Sequence, residues 1–319
     1  MQTEPVGFRV LKSGPLSLIQ DRGRFGLQGM GVSTGGPIDP LAAAWANRLL
    51  VNASNVALIE VTMGGLQLEA QVDTVIAVTG GDMPLYINGR PCDLWRSYAV
   101  RCGDKIELAY SRKACRCYIG VAGGFVIEPQ LGSVATVVRE GLGGLRGEAL
   151  QEGDFLPCAR PLDVQPLWRL PENYRPYYSS HKPLRVIPSY QYRDFSRDQK
   201  RQFYRSDYQL SQQCDRMGYR LLGAKVQAEK RQFLSEGICL GAVQIPADGQ
   251  PIVLMNDHQS MGGYPKVATV LSLDLAKLGQ MLAGATVRFI PISQYYARLQ
   301  LKEAQANFYR ASEQLQRLD

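Results

Sequence analysis

Short apolar runs alternate with turn-forming residues along most of the chain, a spacing that predicts strands far more often than helices. Phe8-Arg9-Val10-Leu11 reads as a first strand, stopped by Ser13-Gly14-Pro15, and Leu16 to Ile19 as a second. Leu58 to Met63, Leu66 to Glu69, Val75 to Thr79, Leu85 to Ile87, Tyr98 to Arg101 and Lys105 to Ala109 continue the pattern. Asn88-Gly89 between two of these runs predicts a tight hairpin, since both residues tolerate positive φ. Tyr118 to Val126 adds a strand around Gly123-Gly124. One helix interrupts the series. Asp39 is a good N-cap, Pro40 fits the first helical position, and Leu41, Trp45 and Leu49 with the intervening alanines give an apolar face. Gly132 to Gly153, rich in glycine and hydroxyls, reads as an irregular excursion.

Pro161 to Pro183 has many prolines and little periodicity, and reads as a connection. Beyond it the grammar restarts. Leu184 to Pro188 echoes the first strand, and Ser196 with Gln199 predicts a capped helix to about Arg205. Leu234 to Ile245, Ile252 to Met255, Val267 to Leu273 and Ala285 to Ile290 read as strands. Asp274 is expected to cap a helix from Leu275 to Leu282, closed by Gly284, and Ser293 to open a long helix from Gln294 to about Leu318. The restart suggests an internal duplication. The expected fold is mainly β with peripheral helices, as two barrel or sandwich halves and a long C-terminal helix. The expected layout is a first half over 1–170, a connection over 171–183, a second half over 184–292 and the helix over 293–319.

Composition supports this picture. The 319 residues include 32 glycines and 18 prolines, which suits turns and short strands better than a helical bundle. The net charge of +7 comes from scattered residues and no nucleic-acid motif accompanies it, so it reads either as a bias towards anionic ligands or as a solvated surface. The first ten residues hold no apolar signal core, and no run approaches the ~18 residues of a membrane span, so a cytoplasmic protein without membrane contact is expected. Cys115-Arg116-Cys117 is too close for zinc-knuckle spacing and lacks a second pair. The seven cysteines therefore read as reduced thiols, and no metal site is expected.

Two stretches carry candidate chemistry. Asn256 to Pro265 lies between two predicted strands and packs Asp257, His258, Gln259 and Ser260 against Gly262-Gly263. The glycines allow a ligand to approach the backbone. The alternative is a hydrogen-bonded turn. Gln20 to Gly26 is a glycine-rich loop with Arg22 and Arg24. It lacks P-loop spacing, so its arginines are read either as a fork for a carboxylate or phosphate or as surface salt bridges.

Longer motifs then carry a resemblance. Gly14-Pro15-Leu16-Ser17-Leu18-Ile19-Gln20-Asp21-Arg22-Gly23-Arg24, Asp39 with Ala46-Asn47, Leu131-Gly132-Ser133, Cys214 to Leu221, Ser235-Glu236-Gly237 and Asp257-His258-Gln259 with Gly262-Gly263-Tyr264-Pro265 resemble the KipA-type, allophanate-hydrolase-subunit-2 family, also called the biotin-dependent carboxyltransferase family. The resemblance runs from about residue 8 to residue 292. It implies tandem cyclophilin-like β-barrel halves. It also implies the C component of an ATP-dependent 5-oxoprolinase, working with a KipI-like B component and a LamB/YcsF-type A component. Departures lie in the motif loops, at Pro188-Ser189-Tyr190-Gln191, Thr34-Gly35-Gly36, Met261 and Ala135. They bear on substrate specificity more than on fold.

Activating a lactam carbonyl needs donors for developing negative charge and a group to move protons. Asp257, His258 and Asp215 are the catalytic candidates, with Asp215 alternatively paired to Arg216. Arg22, Arg24, Arg216, Ser235, Glu236, Gln244, Gln259, Gly262, Gly263 and Tyr264 are the candidates for holding substrate or ATP, whose site is either on this chain or shared with a partner. The Gly-rich loops of both halves are expected to face one cleft. The alternatives are a carboxyltransferase served by biotin on a separate carrier, since no Met-Lys-Met attachment segment occurs here, and a non-catalytic KipA-type regulator of a kinase inhibitor.

Overall fold

A computed structural model describes residues 5–111, 113–160, 166–178, 183–229 and 233–318. The chain forms two compact units. One takes the chain up to Arg24, Gly35–Tyr177 and the stretch from Phe308; the other takes Phe25–Thr34 and Tyr178–Asn307. The architecture is mainly β with a barrel-like sheet and four α-helices among the described residues, as expected. No helix among these residues is long and apolar enough to cross a membrane.

The first unit is built from antiparallel strands in two sheets. In one, Gly7–Ser13 lies between Phe155–Pro157 and Leu66–Ala70; in the other, Arg116–Val121 lies between Leu58–Thr62 and Thr74–Gly80. Leu66–Ala70 alternates buried and half-buried positions, the sign of a strand with one face on the core. Thr74–Gly80 is buried at every position. Asn88 and Gly89 take φ of 52° and 74° and close the predicted hairpin.

The Pro40–Leu49 helix starts as expected, with Asp39 Oδ1 accepting from Ala42 N at 3.0 Å. Its entry is tied to the sheet by the Tyr118 hydroxyl. That oxygen accepts from Asp39 N at 2.7 Å and donates to Glu60 Oε2 at 2.8 Å. Burial drives the Tyr118 hydroxyl well above its usual range, which keeps it a donor. Leu41, expected on the apolar face, is exposed; Ala42, Trp45, Ala46 and Leu49 fill the core.

The second unit carries an eight-stranded sheet in the order Thr286–Val287, Tyr208–Cys214, Gly218–Leu222, Ile252–Leu254, Ala242–Gln244, Lys266–Val270, Leu184–Pro188, Phe289–Pro291. Only the last pairing is parallel. The Arg197–Arg205 helix is capped as predicted, Ser196 Oγ accepting from Gln199 N, and it buries Phe203 against Phe289 with ring centroids 4.7 Å apart.

Several boundaries differ from expectation. Tyr208–Cys214 and Gly218–Leu222 are strands that the apolar pattern did not announce. Leu234 to Ile245 is two short strands, Glu236–Gly237 and Ala242–Gln244, because Gly241 turns the backbone at φ 80°. Tyr118 to Val126 ends at Val121, since Gly123 and Gly124 both take left-handed φ. Within Pro161 to Pro183, where 161–165 and 179–182 lie outside the described residues, Leu167–Arg169 is a strand against Gln316–Leu318. The terminal helix accordingly stops at Ser312 rather than running to Leu318. Ala285 to Ile290 breaks at Arg288 into two pairings.

Asp274 is not a cap. The helix begins earlier, as Ser272–Gln280, with no side-chain cap at Leu271. The Asp274 carboxylate is buried and accepts from Arg185 Nε, Nη2 and backbone N at 2.8, 2.7 and 2.8 Å, and from Lys277 Nζ at 2.7 Å. Burial alone would raise its pKa. The hydrogen bonds from Arg185 and Lys277 outweigh that and hold it below the usual carboxylate value.

A depressed folded-state pKa stabilises the protein above the unfolded value of about 3.9, and that contribution disappears as pH falls through the folded value. Asp274→Ala at neutral pH is therefore expected to cost about 3–5 kcal/mol, since Arg185 and Lys277 lose their anion. In denaturant titrations across pH, the gap between wild type and variant should narrow below about pH 4. A gap that stays constant with pH would contradict this account.

Candidate functional site

The predicted loop after Ile252–Leu254 is held by backbone bonds before any side chain acts. Met255 N donates to Met217 O at 2.9 Å and Asp257 N to Arg216 O at 2.8 Å, so the 215–217 turn and the 255–258 turn lie side by side. Asp215 makes the first of these turns. It is exposed, and its Oδ1 accepts from Met217 N at 2.8 Å and Gly218 N at 3.1 Å, an Asx turn between the Tyr208–Cys214 and Gly218–Leu222 strands. Arg216 is not paired with it.

Arg216 instead points inward and binds Asp257 through two parallel bonds, Nε to Oδ2 at 2.8 Å and Nη2 to Oδ1 at 2.9 Å. Both side chains are buried, 6% and 7% exposed. This is the bidentate arginine–carboxylate geometry, and it braces the 215–217 turn against the 255–258 turn.

His258 follows in the same turn and is also buried. Its Nδ1 lies 2.7 Å from Gln259 O, a carbonyl that can only accept. The proton is therefore on Nδ1, and Nε2 carries the lone pair in the neutral ring. Ser33 Oγ donates to His258 O at 3.0 Å, so the Phe25–Thr34 segment of the same unit also braces this turn. The chain's other histidine, His181, lies outside the described residues.

The Gly-Gly pair is placed by a two-strand ribbon in which Glu236 faces Gly262 and Gly237 faces Met261. A Cβ on Gly262 would stand 2.6 Å from Ile238 Cδ1, 3.1 Å from Gln259 Nε2 and 3.2 Å from Gln244 Nε2. Two carboxamides thus converge over this glycine. A Cβ on Gly263 would meet Phe233 O at 3.2 Å and the exposed Ser235 Oγ at 3.5 Å. Glu236 pairs with Lys266 and accepts from Gln191 Nε2 at 2.8 Å. The Lys266 ammonium, followed by the Tyr190 hydroxyl, holds the Glu236 carboxyl below its usual range.

Around these groups lies a cavity of about 270 Å³, lined by Asp215, Arg220, Gln244, His258, Gln259 and Tyr264 together with Ile252 and Leu254. Tyr264 also borders a larger cavity of about 990 Å³ with Phe233, Ile245 and Pro246. Among the described residues no group of three or more His, Cys, Asp or Glu side chains is placed to hold a metal ion. The second unit therefore gathers Asp215, Arg216, Ser235, Glu236, Gln244, Asp257, His258, Gln259, Gly262, Gly263 and Tyr264. Arg220, Lys266 and Gln191 belong to the same neighbourhood and were not anticipated; their signal is the strand pairing, which the sequence leaves open.

Arg22 and Arg24 belong to the first unit. Arg22 is exposed. Arg24 is 1% exposed and donates to the carbonyls of Gln130, Ser133 and Ala135, so its fork holds the Gly132-Ser133 loop. Asp21 secures the same loop, accepting from Ser133 Oγ at 2.5 Å and Val134 N at 2.9 Å.

Comparison with known proteins is consistent with this architecture. The family model of the carboxyltransferase domain, subdomain A and B, matches residues 30–291. The chain is 38% identical over 292 residues to the C component of 5-oxoprolinase from Haemophilus influenzae, covering 89% of this chain and 91% of the relative. It is 34% identical to the C component of 5-oxoprolinase from Escherichia coli, with the same coverage. The solved K. lactis urea amidolyase superposes with a TM-score of 0.88 at 29% identity, over 97% of this chain; the chain spans 20% of that protein.

The pairing sets what Asp257→Asn should do. In the structure an amide would face the buried Arg216 guanidinium, and loss of a charged hydrogen-bond acceptor costs about 1.5–3 kcal/mol. Equilibrium unfolding should show that loss in the isolated chain, without any activity measurement. An unchanged unfolding midpoint would mean that the pair does not hold the turn.

Proposed function

The chain belongs to the carboxyltransferase family of subdomains A and B, and from that membership we propose that it is the C component of a cytoplasmic 5-oxoprolinase that converts 5-oxo-L-proline to L-glutamate with ATP. Its partners in this reading are a KipI-like B component and a LamB/YcsF-type A component. The observation that carries the proposal is the 38% identity to a 5-oxoprolinase C component over nearly the full length of both chains.

The site chemistry fits a small amide substrate. The lactam carbonyl is a poor electrophile, and catalysis requires donors aimed at its oxygen. The carboxamides of Gln244 and Gln259 are such donors. His258 Nε2, with Nδ1 fixed on a carbonyl, is suited to accept a proton. The Arg216–Asp257 pair and the Glu236–Lys266 pair support the walls of the cavity. A volume of about 270 Å³ lies at the lower end of small-molecule sites.

This cavity is small for ATP, and its one arginine, Arg220, is shared with Asp248. The nucleotide is assigned to the complex as a whole.

A second reading, transfer of a carboxyl group from a biotinylated carrier, is favoured by the fold match to urea amidolyase. Biotin enters only under that reading.

The test mixes the chain with its two partner components and follows glutamate formation and ATP hydrolysis. The expected result is 5-oxo-L-proline-dependent turnover by the mixture and none by the chain alone. Turnover by the chain alone, or an active mixture that requires a biotinylated carrier, would overturn the proposal.

A further inference from the structure

Strand register places four residues in one row across the second unit's sheet. Arg220 faces Ile252, Ile252 faces Gln244, and Gln244 faces Lys266. Directly paired residues of antiparallel strands project to the same face. Arg220, Ile252 and Gln244 accordingly share the floor of the small cavity.

The members of this row differ in how they are satisfied. Lys266 is bound by Glu236, and Arg220 Nη2 is bound by Asp248. Gln244 is 3% exposed, and its Nε2 has no hydrogen-bond partner among the described residues. A buried donor without a partner is costly. The residue lines the cavity wall, so a turn of the carboxamide about its last side-chain bond would give Nε2 a ligand atom as its partner. That atom must be an acceptor, and a neutral carboxamide suits a neutral carbonyl oxygen.

Arg220 stands two strands away, roughly 10 Å between backbones. Both side chains are long enough to lean into the space over Ile252. One guanidinium nitrogen is engaged by Asp248, and the arginine keeps other donors for a second acceptor group.

We infer that this row is a two-point ligand site: Gln244 Nε2 holds the ring carbonyl oxygen of a small cyclic amide, Ile252 supports its apolar ring, and Arg220 holds its carboxylate. The inference rests on the 5-oxoprolinase reading for the identity of the amide, and it assigns each end of that substrate to a residue.

The test uses the full-length chain and three probes. They are 5-oxo-L-proline, L-proline, which lacks the ring carbonyl, and 2-pyrrolidinone, which lacks the carboxylate. Wild type is expected to bind 5-oxo-L-proline at least about tenfold tighter than either of the others, the scale of one hydrogen bond to a buried group. Gln244→Met should reduce 5-oxo-L-proline binding to the L-proline level. Its unliganded melting temperature should equal or exceed that of wild type, because an unpaired buried donor is replaced by an apolar side chain of similar shape. Arg220→Met should reduce binding to the 2-pyrrolidinone level. A wild type that does not prefer 5-oxo-L-proline overturns the inference. So does a Gln244→Met variant that keeps the preference or melts below wild type. Turnover by the assembled complex is scored separately. If it fails while the Gln244-dependent preference persists, the 5-oxoprolinase assignment falls and the two-point site stands.

Discussion

The register of four strands is the constraint on which the candidate site depends. Side chains alternate faces along a strand, so a slip of one residue would exchange every inward and outward position. The buried Tyr219, Val253 and Val243 prevent such a slip, since each would be turned out of the core. Lys266 is a special case. The pairing of Ala242 with Thr269 and of Val243 with Ala268 would put Val267 opposite Gln244. A bulge at this point passes over Val267 and sets Lys266 there instead. The extra residue leaves Val267 in the core and gives Lys266 a place beside the carboxamide.

The turns that edge this sheet have their own dependency. Asp215 uses its carboxylate on two backbone donors, and the turn it forms sends Arg216 inward to Asp257. Two adjacent charged residues thus have unrelated tasks. Breaking a buried ion pair leaves a desolvated charge, whereas an exposed Asx turn fails gently. The 255–258 turn is consequently tied down at more points than its polar sequence suggests, and His258 is held in it through its carbonyl-bound Nδ1.

Much of the fold was legible in the sequence because it follows local rules. Asn88-Gly89, Asp39-Pro40 and Ser196 with Gln199 each encode a turn or cap within four residues, and each forms as read. Tyr208–Cys214 was not legible, because Gln209, Ser211, Gln212 and Gln213 break the apolar alternation that marks a strand. Gln316–Leu318 failed to show for a different reason: its partner, Leu167–Arg169, is some 150 residues away, and no local signal encodes that pairing. The candidate site divides the same way. The loop from Asn256 to Pro265 was visible as a dense polar stretch. The partners of its residues were not, since Arg216 reaches Asp257 across 41 positions and Arg24 reaches Gln130 across 106. Sequence patterns report which residues carry donors; only the pairing of strands reports which donors are already taken.

That distinction orders the site chemically. Apart from Asp215, which binds backbone donors, the charged side chains around the cavity are tied to one another, as Arg216 with Asp257, Lys266 with Glu236 and Arg220 with Asp248. The unsatisfied donor is a neutral carboxamide. A buried free charge would shift its pKa or draw in counterions. A neutral amide donor does neither; it waits at a modest cost, with its direction set by the strand that carries it. Charged pairs suit a frame because their separation is expensive, and a neutral donor suits ligand contact because its unsatisfied state is tolerable; Arg220 does both, with donors left over beyond the one on Asp248. The division of labour along Arg220, Ile252, Gln244 and Lys266 follows from that difference in desolvation energy.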